Sequence, residues 1–159
     1  MTQKILAPLV LAAVALFAAG LGGGRSAGSV TAQERPEFLH ALDDQPIVFD
    51  RRPNQVITPE VQEFYRTLEN PYRGDPRAIA AGKKIYLKYC KACHLKSGKG
   101  RIGPSLVDDR WKYARTGTDR GKFEIIYAGG AGAMQAFGLR MDQDDILKVM
   151  AYLDVLGKQ

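Results

Sequence analysis

Two cysteines and two histidines in 159 residues exclude a good deal. A disulfide-stapled fold needs more cysteine. A site built on histidine ligands needs more histidine. No repeat is visible along the chain. Acidic residues are the minority charge, 17 against 23 basic, for a formal balance of +6. That balance makes a positively charged surface and says nothing about fold. No nucleic-acid partner is expected. What remains is ordinary: 45% apolar and 25% charged residues, which rules out collagen-like and wholly disordered classes. The length fits one domain.

The chain opens with Lys4 and then runs apolar from Ile5 to Leu21, about the length of one membrane span. This run is rich in Ala and Gly. Arg25 and small residues follow, and Val30-Thr31-Ala32 places small residues three and one before a cut after Ala32. Residues 1–32 therefore read as a secretory signal peptide; the competing reading is a retained membrane anchor. The first cysteine is Cys90, so no lipobox-type cysteine follows the leader. The mature chain, starting at Gln33, is expected in the periplasm and is not expected to span a membrane after processing.

Residues 33–74 form an extension punctuated by Pro36, Pro46, Pro53, Pro59 and Pro71. Within it Ile47-Val48-Phe49 reads as a short strand. Thr58-Pro59 is a cap followed by proline at the first helical position. Val61, Phe64, Tyr65 and Leu68 recur at helical spacing, and Asn70-Pro71 with Gly74 should end that helix. Residues 75–159 form the main domain. Asp75-Pro76 starts a helix through Tyr89, and Gly98, Gly100 and Gly103-Pro104 mark a loop. Asp119 to Tyr127 is a short helix broken by Gly129-Gly130. Asp142 to Leu156 closes the chain with an apolar stripe of Ile146, Val149, Met150, Leu153 and Leu156. Its acidic first turn and Lys158 at the end suit the helix dipole. Helices, long Gly/Pro loops and almost no strand make a small all-α domain.

Cys90-Lys91-Ala92-Cys93-His94 matches C-x-x-C-H, the attachment site of a c-type haem. Two thiols on one turn of helix reach the two vinyl groups of one porphyrin. The histidine that follows lies beneath the ring with Nε2 towards the iron. One such motif means one covalent haem c. A zinc site would need a second ligand pair, and only His40 remains. A thioredoxin-like C-x-x-C would need a βαβ setting. A plain Cys90–Cys93 disulfide would leave His94 unexplained.

These features resemble the class I cytochrome c fold. In that family a small residue, here Gly82, lets the N-terminal helix cross the C-terminal helix closely. Tyr86 and Tyr152 are the matching aromatic pair. Gly103-Pro104-Ser105-Leu106 resembles the family's G-P-x-L segment, which implies that the Pro104 carbonyl accepts the Nδ1–H of His94. The sixth iron ligand is sought among Met134, Met141, Met150 and His40. Met150 lies on the apolar stripe and reads as core. Met134, in the loop Gly129-Gly130-Ala131-Gly132-Ala133-Met134, is the favoured ligand, because this fold presents its methionine from a loop before the last helix. Met141 and His40 are the alternatives.

From Asn70 onwards the pattern is similar to the cytochrome c-L family. It is carried by Asn70-Pro71-Tyr72, Asp109-Arg110-Trp111, Thr118-Asp119 with Gly121, and the Gly129-Gly130-Ala131 loop. The resemblance implies a periplasmic one-electron carrier, not an enzyme. It would accept electrons from a quinoprotein (PQQ-dependent) methanol or alcohol dehydrogenase, of the calcium or lanthanide kind. It would pass them to a downstream cytochrome c or oxidase. Some members also hold a calcium ion near the haem propionates. Trp111 is expected at the haem, where it and Tyr113 either donate to the propionates or pack over the haem edge. One departure is charge: the family's familiar members are acidic, and this chain has a pI of about 9.4. Lys83, Lys84, Lys88, Lys91, Lys96, Lys99 and Arg101 follow one another with no acidic residue between. They read either as a solvated face or as a positive collar that steers an acidic partner. Two other classes compete: a haem c subunit of another periplasmic oxidoreductase, such as a sulfur-oxidising complex, and a haem peroxidase or gas-binding cytochrome.

Overall fold

The computed structural model describes residues 36–49 and 54–157. The leader, its cleavage site, Gln33 and Lys158 lie outside the described residues. Five α-helices follow in order: α1 Pro59–Thr67, α2 Pro76–Tyr89, α3 Lys91–His94, α4 Asp119–Ala128 and α5 Gln143–Leu156, with a 3₁₀ turn Ala114–Gly117 before α4. Three of the long helices begin where local chemistry dictates. The Thr58 side chain accepts from Val61 N and caps α1, Asp75 accepts from Arg77 N and Ala78 N and caps α2, and Thr118 accepts from Gly121 N and caps α4. Proline occupies the start of α1 and α2, where its missing N–H costs nothing.

Two local expectations need correction. Ile47-Val48-Phe49 is not a strand. The described residues hold only an isolated antiparallel bridge, Leu39 with Pro46. There Ile47 N donates to Phe38 O and His40 N to Gln45 O. No further strand among the described residues lies alongside to extend the ladder, and the segment is held by its side chains instead. The α1 helix stops at Thr67, before Asn70-Pro71, because Leu68 turns into the left-handed region at φ 60°. Asn70 serves a tertiary role instead. Its N–H donates to Asp119 at 2.8 Å and its side-chain amide to Leu147 O at 2.9 Å.

The frame of the fold is the packing of α2 on α5. Gly82 makes it possible: a β-carbon there would lie 1.9 Å from the Lys148 carbonyl oxygen. Beside this crossing the Tyr86 and Tyr152 rings meet edge to face, centroids 5.3 Å apart. Two effects of opposite sign compete in Gly82→Ala. Helix propensity alone would favour alanine by about 1 kcal/mol. The clash is with backbone, which cannot swing aside, and overpacking of this kind costs about 1–3 kcal/mol. Net destabilisation is therefore expected in urea unfolding of the holoprotein; a stabilised variant would refute the close crossing.

Residues 36–49 and α1 share one core with α4 and α5. Phe38, Ile47, Val61 and Phe64 are buried among Phe123, Tyr127, Ile146 and Met150. Burying each such side chain is worth roughly 1.5–3 kcal/mol. A buried carboxylate adds direction: Glu124 on α4 accepts from Leu39 N at 2.9 Å and from Arg120 Nε at 2.9 Å, with Arg115 at 3.4 Å. Arg115 also pairs with Asp44, and Arg120 donates to the Glu37 carbonyl. Asp144 ties α1 to α5, accepting from Thr58 Oγ1 at 3.1 Å, Tyr72 Oη at 2.7 Å and Lys148 Nζ at 2.5 Å. Burial opposes its ionisation, but the bonds from Lys148 and Tyr72 outweigh that and hold the carboxyl below its ordinary range.

Candidate haem site

Helix α2 leads into the Cys90–His94 turn through Cys90, the C-cap of α2 and the N-cap of α3. Cys90 N donates to Tyr86 O at 2.8 Å and His94 N to Cys90 O at 3.0 Å. Leu95 then turns to φ 62° and ends the helix. The loop beyond folds back beneath the motif: Gly103 N donates to Cys93 O at 3.1 Å, Gly100 N to His94 O at 3.1 Å, and Tyr86 Oη to Leu95 O at 2.7 Å. This return places Gly103 against the imidazole, where a β-carbon would lie 2.5 Å from His94 Cε1. His94 is buried, and its Nδ1 lies 2.9 Å from Pro104 O. A carbonyl can only accept, so Nδ1 carries the proton and Nε2 is left with its lone pair for a metal.

The motif borders a cavity of about 740 Å³. Cys90, Cys93, His94, Pro104, Trp111 and Met134 all line it. Cys90 and Cys93 are both half-buried and form no disulfide with each other. Burial, with Cys93 adding to it, pushes the Cys90 thiol up to about 12. Trp111 is half-buried against Gly117, with Lys122 Nζ 5.9 Å from its ring centroid. The other ligand alternatives are elsewhere. Met141 and Met150 are each 1% exposed in the hydrophobic core, and neither lines the cavity. His40 sits in the N-terminal turn beside Ile47 and Leu139, away from it. Among the described residues no group of three or more His, Cys, Asp or Glu side chains is arranged to hold a metal ion.

Sequence reading missed the charge network beside the cavity. Arg73 pairs with Asp119 at 2.5 Å and Asp154 at 2.7 Å, and Lys122 with Asp154 at 3.2 Å. Arg73, Lys122 and Asp154 all border the cavity. Partners 46 and 81 residues apart leave no local pattern. It also missed the bond from Ala131 N to Tyr113 Oη at 3.1 Å. The seven cations from Lys83 to Arg101 are all exposed. Among the described residues none of them joins the ion pairs that tie the other arginines and lysines down. Ile102, 63% exposed, lies at the cavity between Arg101 and Gly103.

The description "Cytochrome C oxidase, cbb3-type, subunit III" belongs to the family whose model matches residues 77–153. Cytochrome c-L of Methylorubrum extorquens is 32% identical over 96 residues, which are 60% of this chain and 49% of that protein. The chain thus matches about half the length of this curated relative. Two solved structures are similar, both 31% identical. Cytochrome cL of the marine methylotrophic bacterium Methylophaga aminisulfidivorans has a TM-score of 0.71, covering 74% of this chain and 78% of that one. Cytochrome cL of Hyphomicrobium denitrificans has a TM-score of 0.72, covering 76% and 73%. Helices crossing at Gly82 beside a thiol-lined cavity, together with these likenesses, define a class I c-type cytochrome. Within that class the chain belongs to the cytochrome c-L-like proteins. Its cofactor is covalently bound haem c. The cavity size, the paired thiols and the free Nε2 fit that group.

Proposed function

We propose that the protein is a periplasmic one-electron carrier. It takes electrons from a PQQ-dependent methanol or alcohol dehydrogenase and hands them to a downstream cytochrome c or oxidase. Haem c, when bound, supplies the one-electron chemistry at iron. The chain's own residues do the rest. Cys90 and Cys93 would hold the porphyrin covalently, and His94 Nε2 and Met134 Sδ would be the ligands to its iron. Pro104 orients His94 through Nδ1, and Trp111 closes the cavity wall. His/Met ligation raises the potential relative to His/His, which suits a carrier placed between an alcohol-oxidising enzyme and an oxidase. The leader ending at Ala32 supports export. No helix among the described residues is long and apolar enough to cross a membrane.

The observation that carries this reading is the likeness in fold and sequence to the solved cytochromes cL. Its test is direct. Holoprotein mixed with a purified quinoprotein methanol dehydrogenase and methanol should show haem reduction, two ferric haems being reduced for each methanol oxidised to the aldehyde. Absence of reduction with both calcium- and lanthanide-dependent enzymes would overturn it. The match over residues 77–153 favours one second reading, a haem c subunit of a larger oxidase. Stable co-purification with oxidase subunits would favour that instead. Attachment itself has a separate check: haem should survive acid–acetone extraction of the wild type, and mass spectrometry should find one haem per chain. Cys90→Ala with Cys93→Ala should lose it entirely.

A further inference from the structure

We propose that Tyr113 is the positioning residue for the Met134 loop. Between Ala128 and Met134 no side chain is larger than a methyl group, so this segment cannot anchor itself by burying apolar surface. Ala131, Gly132 and Ala133 are exposed, while Met134 is half-buried at the cavity. The entry to the segment is held by its backbone. Gly129 caps α4 at φ 88°, its N–H donating to Ile125 O at 3.0 Å, and Gly130 N donates to Met134 O at 3.1 Å. Among the described residues, one side chain bonds to residues 129–136: Tyr113, whose phenol oxygen accepts from Ala131 N at 3.1 Å.

The anchor is itself rigid. Tyr113 O accepts from Thr116 N at 2.9 Å and from Thr116 Oγ1 at 2.6 Å, and Thr116 is buried. The 3₁₀ turn that follows is pressed onto α4 at Gly121, where a β-carbon would lie 1.9 Å from Arg115 O. Tyr113 thus connects a fixed turn to the middle of a loop that backbone bonds hold at its two ends, Gly129 N to Ile125 O at 3.0 Å and Phe137 N to Ile126 O at 3.0 Å. The phenol spends a lone pair on Ala131 and keeps its proton for a partner in the cavity it lines. Without this bond, more conformations of residues 130–133 are open and Met134 leaves the cavity more often. An added ligand competes for the vacated position in proportion to that fraction.

This inference rests on the reading of Met134 as the axial ligand, and the experiment separates the two. Ferric holoprotein is titrated with imidazole and followed by its visible spectrum. Tyr113→Phe should bind imidazole about fivefold more tightly than wild type, the change that one net hydrogen bond is worth. Haem should stay attached, and the far-red methionine band should persist at zero imidazole. Amide exchange at Ala131 should quicken in the same variant. Ile146→Val, which loosens the core away from the cavity, serves as the control for general destabilisation and should leave imidazole affinity unchanged. Wild-type affinity in Tyr113→Phe, or an equal gain in Ile146→Val, overturns the role of Tyr113. If Met134→Ala keeps the far-red band, the ligand reading fails. If Met134→Ala loses the band and Tyr113→Phe is neutral, only the role of Tyr113 fails.

Discussion

Met134→Ala is expected to abolish the far-red methionine–iron band and lower the midpoint potential while leaving one haem attached per chain. Axial ligands span about 0.8 V of potential between them, and a vanished thioether should account for a shift on the order of 0.1 V or more. The direction follows from the ligand: thioether sulfur favours the reduced iron, and water or a vacant position does not. Met141→Ala is the necessary comparison. Met141 is fully buried in the apolar core, so its loss should cost about 2–5 kcal/mol of stability and leave the band in place. Spectroelectrochemistry of both variants decides the matter. A band that survives in Met134→Ala and vanishes in Met141→Ala would move the ligand to Met141.

Charge reversal on the collar should produce the second large effect. Lys96 and Lys99 are exposed and away from the cavity wall, so Lys96→Glu with Lys99→Glu should leave the haem spectrum untouched. If the collar steers an acidic dehydrogenase, the second-order rate of reduction at low salt should fall by roughly tenfold or more, within the 10 to 10³ that steering supplies. Wild-type rates should themselves fall as salt rises, because the Debye length shrinks from about 10 Å at 0.1 M to about 3 Å at 1 M. The variant should show a flatter dependence. Exposed Ile102, which follows the collar at the cavity, offers an apolar alternative for docking. Were that the whole contact, rates would be nearly independent of salt and of the two substitutions. Stopped-flow reduction at low and high ionic strength distinguishes these outcomes.

Much of this was legible along the chain because it is local. Caps such as Thr58 and Asp75 act on amides two or three residues away. The C-x-x-C-H turn spans a single helical turn, so its spacing alone states its chemistry. Gly82 was readable only through a family pattern, yet its reason is steric: the Lys148 carbonyl occupies the place of its β-carbon. The strand expected at residues 47–49 failed because β structure depends on a partner, and composition cannot say whether one is there. What holds that segment is side-chain packing from far along the chain: Ile47 is buried in the core, and the Phe49 ring packs on Phe38, Tyr65, Phe123 and Tyr127.

The sequence alone determined the helices, their starts and the haem-attachment turn, since each is set by interactions within a few residues. Only the tertiary structure decided where each methionine sits; the sequence pattern favoured Met134 at the haem and left Met141 and His40 as alternatives. Met134, Met141 and Met150 are chemically identical along the chain. The last two are buried in the core that α5 shares with α1 and α4, whereas Met134 is brought to the cavity by a loop pinned to Tyr113. The compensated cluster of Arg73, Asp119, Lys122 and Asp154 likewise exists only once α4 and α5 meet, because Coulomb attraction depends on distance in space, not along the chain.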